Sequence, residues 1–304
     1  MTSDLSTPSS TTDSSESSSL VLGAVLITAG FLANTLQGAL GKQAQSAIAP
    51  GQFLWLLIMM ALGVLLPIAL WRGFEDLQQG WSQQVLPFYL LRAVFGLCGF
   101  YLFVWAAGMG SLVDATVLLN TTPVFIPLLS VLVLGKQISL KLWGALAIGF
   151  VGLLLVVQPG VALLQNPANL LGLGAGLSAA IEFLTVRSLS QTQPPLTQTV
   201  YYLVIGAVLM LPVALWQWQP LTLSLIGIIA TAAGLFLTFQ LLLVKAYSFA
   251  EPHQIGVFQY SSVIFAAVIG ALFFHETPNV IAFAGMVLIC LGGALSIYLE
   301  QRSI

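Results

Sequence analysis

AYSFAEPHQIGVFQYSSVIF, residues 246–265, has a counterpart 140 positions earlier in AAGMGSLVDATVLLNTTPVF, residues 106–125. Under the same shift Leu132 falls on Leu272, the loop at Lys136 on the loop at Glu276, and Gly152 on Gly292. Only six of the fifty-one positions 106–156 are identical, yet helix starts, polar clusters and short loops coincide. A fixed offset held over this length marks an internal repeat.

The surroundings of the two stretches define what is repeated. The chain is 58% hydrophobic and only 6% charged, with a mean hydropathy of +1.00. Ten apolar runs follow one another: 20–41, 52–71, 85–108, 111–134, 139–158, 169–189, 197–217, 221–247, 252–274 and 278–299. About twenty apolar residues cross a hydrocarbon core roughly 30 Å thick. Backbone groups in lipid must bond within their own element, so the runs are expected as helices. A membrane barrel is excluded because the runs are continuous and do not alternate. The expected fold is an all-α polytopic membrane protein with ten transmembrane helices arranged as two five-helix repeats, 20–160 and 161–304. Five is odd, so the two copies enter the membrane from opposite sides. Inverted repeats are a common plan of secondary transporters, with the substrate site near the midplane between them.

The basic residues set the orientation. With both termini cytoplasmic, Arg72, Arg92, Lys136, Lys141, Arg187, Lys245 and Arg302 lie at or toward the inside, and only Lys42 outside; an excess of Lys and Arg favours the cytoplasmic side. The expected orientation therefore has both ends inside, and the expected location is a bacterial inner membrane. The seven tryptophans fall near run ends, as an aromatic belt requires. Residues 1–19 hold thirteen Ser or Thr, three acids and no base. That composition fits neither a signal nor a transit peptide and is expected as a disordered cytoplasmic tail. Cys98 and Cys290, in the third and tenth runs, suggest neither a disulfide framework nor a metal site.

The segment LVDATVLLNTTPVFIPLLSVLVLG, the later LVKAYSFAEPHQIGVFQYSSVIFAAVIGALFFHETP, and the Gly-rich GALAIGFVGLLLVV and AFAGMVLICLGGAL resemble the drug/metabolite transporter superfamily, in its EamA-type ten-helix branch. The resemblance covers residues 20–300. It implies ten helices, cytoplasmic termini and movement of small metabolites, amino acids, nucleotide derivatives or drugs. Within the branch, the second half is also similar to uptake carriers for S-adenosylmethionine and related compounds. The family commonly carries an acid at the end of the fourth helix; Glu276 matches it in the second half, whereas the first half has Lys136.

No nucleotide-binding G-x-x-x-x-G-K-[ST] loop and no H-E-x-x-H zinc pair occurs, so neither motor nor hydrolytic chemistry is indicated. Polar groups inside the membrane remain; a charge at a helix centre costs about 2.5–3.5 kcal/mol on insertion scales. Glu182 is the deepest acid, with Ser178 and Thr185 on its face. It reads as a substrate or proton site, or as a structural acid bonded to a neighbouring helix. Arg92 is a coupling or gating candidate, or a side chain snorkelling to the interface. Lys245 ends a Thr231–Thr238–Lys245 stripe and reads as a gate or an interfacial anchor. Asp114 reads as a gating acid or as a complement to the helix dipole. Asn34 and Gln37 offer neutral hydrogen bonds. Tyr101, among Phe95, Phe100, Phe103 and Trp105, faces a cavity or simply packs.

At 250–262, Pro252 suits a first helical turn, with Glu251 at the helix start. On a 3.6-residue period Glu251, Gln254, Phe258, Ser261 and Ser262 share a face, while His253 and Tyr260 point away. The repeat sets Asp114 on Gln254 and Thr121 on Ser261. Gln254, Phe258, Ser261 and Thr121 are therefore candidate cavity wall, with Tyr260 as a further substrate-binding candidate; a capped helix start with ordinary interhelical bonds is the structural alternative. The expected protein is a secondary carrier working by alternating access. Its cavity would be lined by the first, third, fourth, sixth, eighth and ninth runs, and its solute would be small and neutral, zwitterionic or amphipathic. Expected partners are that substrate, protons as a coupling ion and the bilayer, with no nucleic acid, cofactor or metal; the oligomeric state is open. A receptor or assembly factor on the same fold is the alternative. An enzyme is disfavoured, because the two histidines, His253 and His275, lie near opposite faces.

Overall fold

The computed structural model describes residues 10–44, 46–80, 82, 84–109, 117–158, 169–274 and 279–301. Among these residues there are ten principal helices and no strand. They are α1 (Ser10–Ala44), α2 (Pro50–Gly80), α3 (Leu86–Met109), α4 (Thr122–Leu132), α5 (Leu140–Val157), α6 (Asn169–Ser190), α7 (Pro195–Trp216), α8 (Leu223–Phe249), α9 (Ser261–Phe274) and α10 (Val280–Gln301). Eight of them are long and apolar enough to cross a membrane, which makes the chain an integral membrane protein.

The other two, α4 and α9, are short, and they are short at the same place in each half. Residues 117–119 form one helical piece, Asn120 and Thr121 form a turn, and α4 restarts at Thr122. In the second half an α-helical turn, Pro252–Ile255, passes into a 3₁₀ segment, Gly256–Tyr260, before α9 begins at Ser261. The runs 111–134 and 252–274, expected as continuous helices, are thus interrupted at positions the 140-residue shift superposes. Interrupted helices at matching positions of two halves mark the working region of many carriers, because freed backbone groups are tolerated only inside protein or along a cavity.

Packing follows the same symmetry. The most extensive contacts are α1 with α8, α5 with α10, α3 with α6, and α2 with α7, followed by α4 with α6, α2 with α8, α3 with α7 and α1 with α9. Exchanging the halves, so that helix n becomes helix n+5, turns α1·α8 into α3·α6 and α4·α6 into α1·α9. It leaves α2·α7 and α5·α10 unchanged. Each of these pairs joins one half to the other, so the halves interlock. Between α5 and α10 the backbones touch: a Cβ on Gly152 would lie 2.7 Å from the Gly285 carbonyl oxygen. Small residues allow such contact where lipid offers no hydrophobic gain.

One expectation changes at the N-terminus. The tail expected as disordered is helical from Ser10 onward, continuous with the spanning part of α1, while residues 1–9 lie outside the described residues. Once a helix is nucleated, each further residue adds a hydrogen bond.

Candidate functional site

A cavity of about 310 Å³ lies inside the bundle. It runs from Glu182 and Gln240, near the middle of α6 and α8, toward Gly41, Phe53 and Phe103 near the far end, where α1 finishes and α2 starts. Asn34, Gln37, Gln240 and Gln259 supply amides to its wall; most of the remainder is aromatic or aliphatic. All six runs expected there contribute, the fourth through Leu119 and the ninth through Gln259. Two that were not expected contribute as well: α2, through Phe53, Leu54 and Leu57, and α7, through Tyr202.

Glu182 sits on this wall at 8% exposure. Its carboxyl lies against Gly96 of α3, where a Cβ would fall 2.9 Å from Cδ. No donor among the described residues hydrogen-bonds it. The absence of a side chain at Gly96 therefore leaves room for a carboxyl group that the fold presents to the cavity without a hydrogen-bond donor. Ser178 and Thr185 do not share the role: Ser178 packs toward Gly99, and the Thr185 hydroxyl donates to the Ile181 carbonyl oxygen at 2.7 Å.

Arg92 does not snorkel. It is fully buried, and one terminal nitrogen donates to Gln198 Oε1 at 3.0 Å and to the Gln198 carbonyl oxygen at 3.2 Å. The other donates to Gln240 Oε1 at 2.8 Å, and the guanidinium lies 4.7 Å from the centroid of the Tyr202 ring. A planar fork that finds three acceptors and a ring face gains more there than by reaching for the interface. Arg92 and Glu182 attract each other electrostatically, but the acceptors that hold the guanidinium belong to the two glutamines.

The end of the bundle where α1 begins and α10 finishes is closed by a second polar layer. Lys136 Nζ lies 2.6 Å from Glu251 Oε2, and an Arg187 terminal nitrogen lies 3.0 Å from Glu251 Oε1; Arg187 also donates to the Tyr247 carbonyl oxygen. Burial opposes the Glu251 charge, yet the hydrogen bond from Lys136 and the nearby Arg187 hold its carboxyl below the usual carboxylate range. Lys136 is therefore a partner of Glu251.

Gln254 is not cavity wall. It completes a capping box, its Oε1 accepting from the Glu251 backbone N–H at 2.8 Å, and its Nε2 donates to Glu300 Oε1 at 2.7 Å. Ser261 is turned back on its own chain, donating to the Phe258 carbonyl oxygen at 2.6 Å, and Phe258 packs toward Gly293. Thr121 donates to the Leu118 carbonyl oxygen and lies against Gly176. Tyr260 is buried against Gly149 and Phe150. Tyr101 packs by Gly51, outside the cavity. The cause is the 3₁₀ segment: three residues per turn instead of 3.6 shifts the helical phase, so Gln259 reaches the cavity and the Gln254–Ser261 stripe does not. Leu119, which the 140-residue shift pairs with Gln259, lines the cavity too. Lys245 is exposed beside the Phe249 ring, and Thr231 and Thr238 bond their own helix on the same outer face. Asp114 lies outside the described residues.

Gln198, Tyr202, Gln240 and Gln259 are the site residues that sequence reasoning passed over. The three glutamines carried a weak signal, since an amide within an apolar run needs a partner, though less than a charge does, and Tyr202 carried none.

The model of the EamA-like transporter family matches the chain twice, over residues 21–158 and 166–298. The chain belongs to that family, and it is a membrane transporter of small organic metabolites, not an enzyme. It is 28% identical to the pseudopaline exporter CntI of Pseudomonas aeruginosa over 275 residues, covering 88% of this chain and 92% of the exporter. It is 25% identical to an S-adenosylmethionine uptake transporter of Rickettsia prowazekii, covering 79% and 80%, and 27% identical to a riboflavin transporter of Vibrio cholerae, covering 80% and 81%. A crystal structure at 18% sequence identity has the same fold, with a TM-score of 0.74 over 94% of this chain and 98% of that one.

Proposed function

We propose that the protein is a secondary carrier that exposes the Glu182 cavity alternately to the two sides of a bacterial inner membrane. The observation that carries the reading is an unpartnered carboxylate on a central cavity, in a bundle whose halves interlock by inverted symmetry. Residues 20–160 and 161–304 act as the two units that rock against each other. The Lys136–Glu251–Arg187 layer and the Arg92–Gln198–Gln240 layer beneath it close the terminal end while the cavity extends to the other. With both termini cytoplasmic, as the basic residues favour, this arrangement is the outward-facing one.

The relatives include an exporter and uptake transporters, so the direction of net movement follows from the coupling and not from the fold. Glu182 is the group that answers to charge, either that of the substrate or that of a coupling proton. Asn34, Gln37, Gln240 and Gln259 orient the solute by hydrogen bonds. Reconstitution into proteoliposomes and uptake from a metabolite mixture, with and without an imposed pH gradient, tests the reading. At least one solute should accumulate above empty liposomes; equal levels throughout would reject the carrier for that mixture.

A further inference from the structure

On and just behind the wall of the central cavity are acceptors that have no donors. The Glu182 carboxylate has no hydrogen-bond partner among the described residues, and Gln259, 6% exposed and on the same wall, has an Oε1 buried without a donor. The nearby cation, Arg92, attracts Glu182 but hydrogen-bonds neither of them. Both terminal nitrogens of Arg92 are taken by Gln198 and Gln240, and its face by Tyr202. Gln240, with Oε1 given to Arg92, has its N–H groups left for a ligand.

Around these groups stand aromatic rings. Phe31 and Phe239 have centroids 5.5 Å apart, Phe31 and Phe183 6.4 Å, and all three line the cavity with Phe53, Phe100 and Phe236. Ring faces attract cations, more strongly when water is excluded. A buried carboxylate without a partner is costly, and a ligand bringing charged N–H donors removes that cost by a charge-assisted hydrogen bond. An anion would add a second negative charge, and a neutral donor would give Glu182 only a weaker hydrogen bond, without a compensating charge. A volume of about 310 Å³ is at the small end of ligand sites and suits one ring or a short aliphatic chain behind the charged group.

We propose that the cavity selects organic cations: small solutes whose ammonium or guanidinium group docks on Glu182 and Gln259, with an apolar body against the phenylalanine rings. The proposal rests on the carrier reading, which it sharpens from small metabolites to N–H-bearing cations.

The test is binding, measured by calorimetry on the purified full-length protein, with three probes that share a phenyl ring and differ at the head: phenethylamine, 2-phenylethanol and 3-phenylpropionate. Phenethylamine, cationic at neutral pH, should bind at least tenfold more tightly than either of the others. Glu182→Gln should remove that preference, and Gln259→Leu should reduce it to a lesser degree. Equal binding of the three probes, preference for the anion, no saturable binding, or a preference unchanged in Glu182→Gln would each overturn the proposal. The wild-type ranking decides even where a variant does not fold. Cation preference in binding without transport of any solute would leave the site assignment standing and reject the carrier. Transport of a neutral or anionic solute that is indifferent to Glu182→Gln would do the reverse.

Discussion

Lys136 Nζ stands 2.6 Å from Glu251 Oε2, and this contact ties the loop after α4, in the first half, to the start of the interrupted ninth helix in the second. Arg187, from the last turn of α6, shares the same carboxylate. One acid thus holds three elements together at the end of the bundle that must part when the cavity changes sides.

Removing that acid should favour the opening of this end. In a protein with Cys98 and Cys290 replaced by serine, a cysteine at Ser190, next to Arg187 in the last turn of α6 and bonded to the Val244 carbonyl oxygen, should react faster with a membrane-impermeant maleimide from the terminal side when Glu251→Gln is added. An unchanged labelling rate would separate the ion pairs from gating.

The same carboxylate gives a pH dependence with a definite sign. Its value in the folded protein lies below the ordinary one, so its contribution to stability is present above about pH 4.3, the usual Glu value, and is lost as pH falls through the folded value. The Tm of the detergent-solubilised protein should fall on acidification below that point, and Glu251→Gln should flatten this part of the profile. Both side chains of the Lys136 pair are partly exposed, at 36% and 24%, so added salt should reduce the effect.

Arg92 should matter for stability whether or not solute is present. Arg92→Ala leaves acceptors on Gln198 and Gln240 buried without donors, at about 1–3 kcal/mol for each such group. Arg92→Lys keeps the charge but not the fork and should fall between wild type and alanine. Chemical unfolding in detergent reads both.

Two glycines of α5 should respond oppositely to alanine. At Gly152 the new methyl would meet the Gly285 carbonyl oxygen at 2.7 Å and the Ile289 nitrogen at 2.8 Å, and such overpacking costs about 1–3 kcal/mol. At Gly144 nothing stands within 4 Å, so Gly144→Ala should leave stability unchanged or raise it by up to about 1 kcal/mol, the helix preference of alanine over glycine. Paired Tm measurements decide between a backbone contact and a flexible seam.

The helical framework was legible because its cause is local: an apolar run of sufficient length has one stable form in lipid. The 140-residue shift was legible because it needs only matching helix starts. The cavity wall of the second half was not. Projecting Gln254 and Ser261 onto one face assumed 3.6 residues per turn through a stretch that the fold winds as 3₁₀, and nothing in GVFQY announces that change. Glu182 stood out by its charge alone, whereas Gln240 and Gln259, with no charge to draw attention, became visible only once the helices were packed. Arg92 shows the same limit: its depth was readable, its three acceptors on two other helices were not.

The most direct test of the account is concentrative uptake by wild type and Glu182→Gln, reconstituted side by side in proteoliposomes under an imposed pH gradient, with the solute that wild type accumulates. The account predicts that Glu182→Gln, folded and inserted to the same extent, loses at least nine-tenths of the accumulation. Accumulation equal to wild type would show that the carboxylate facing the cavity is not part of the transport cycle, and would contradict the account at its centre.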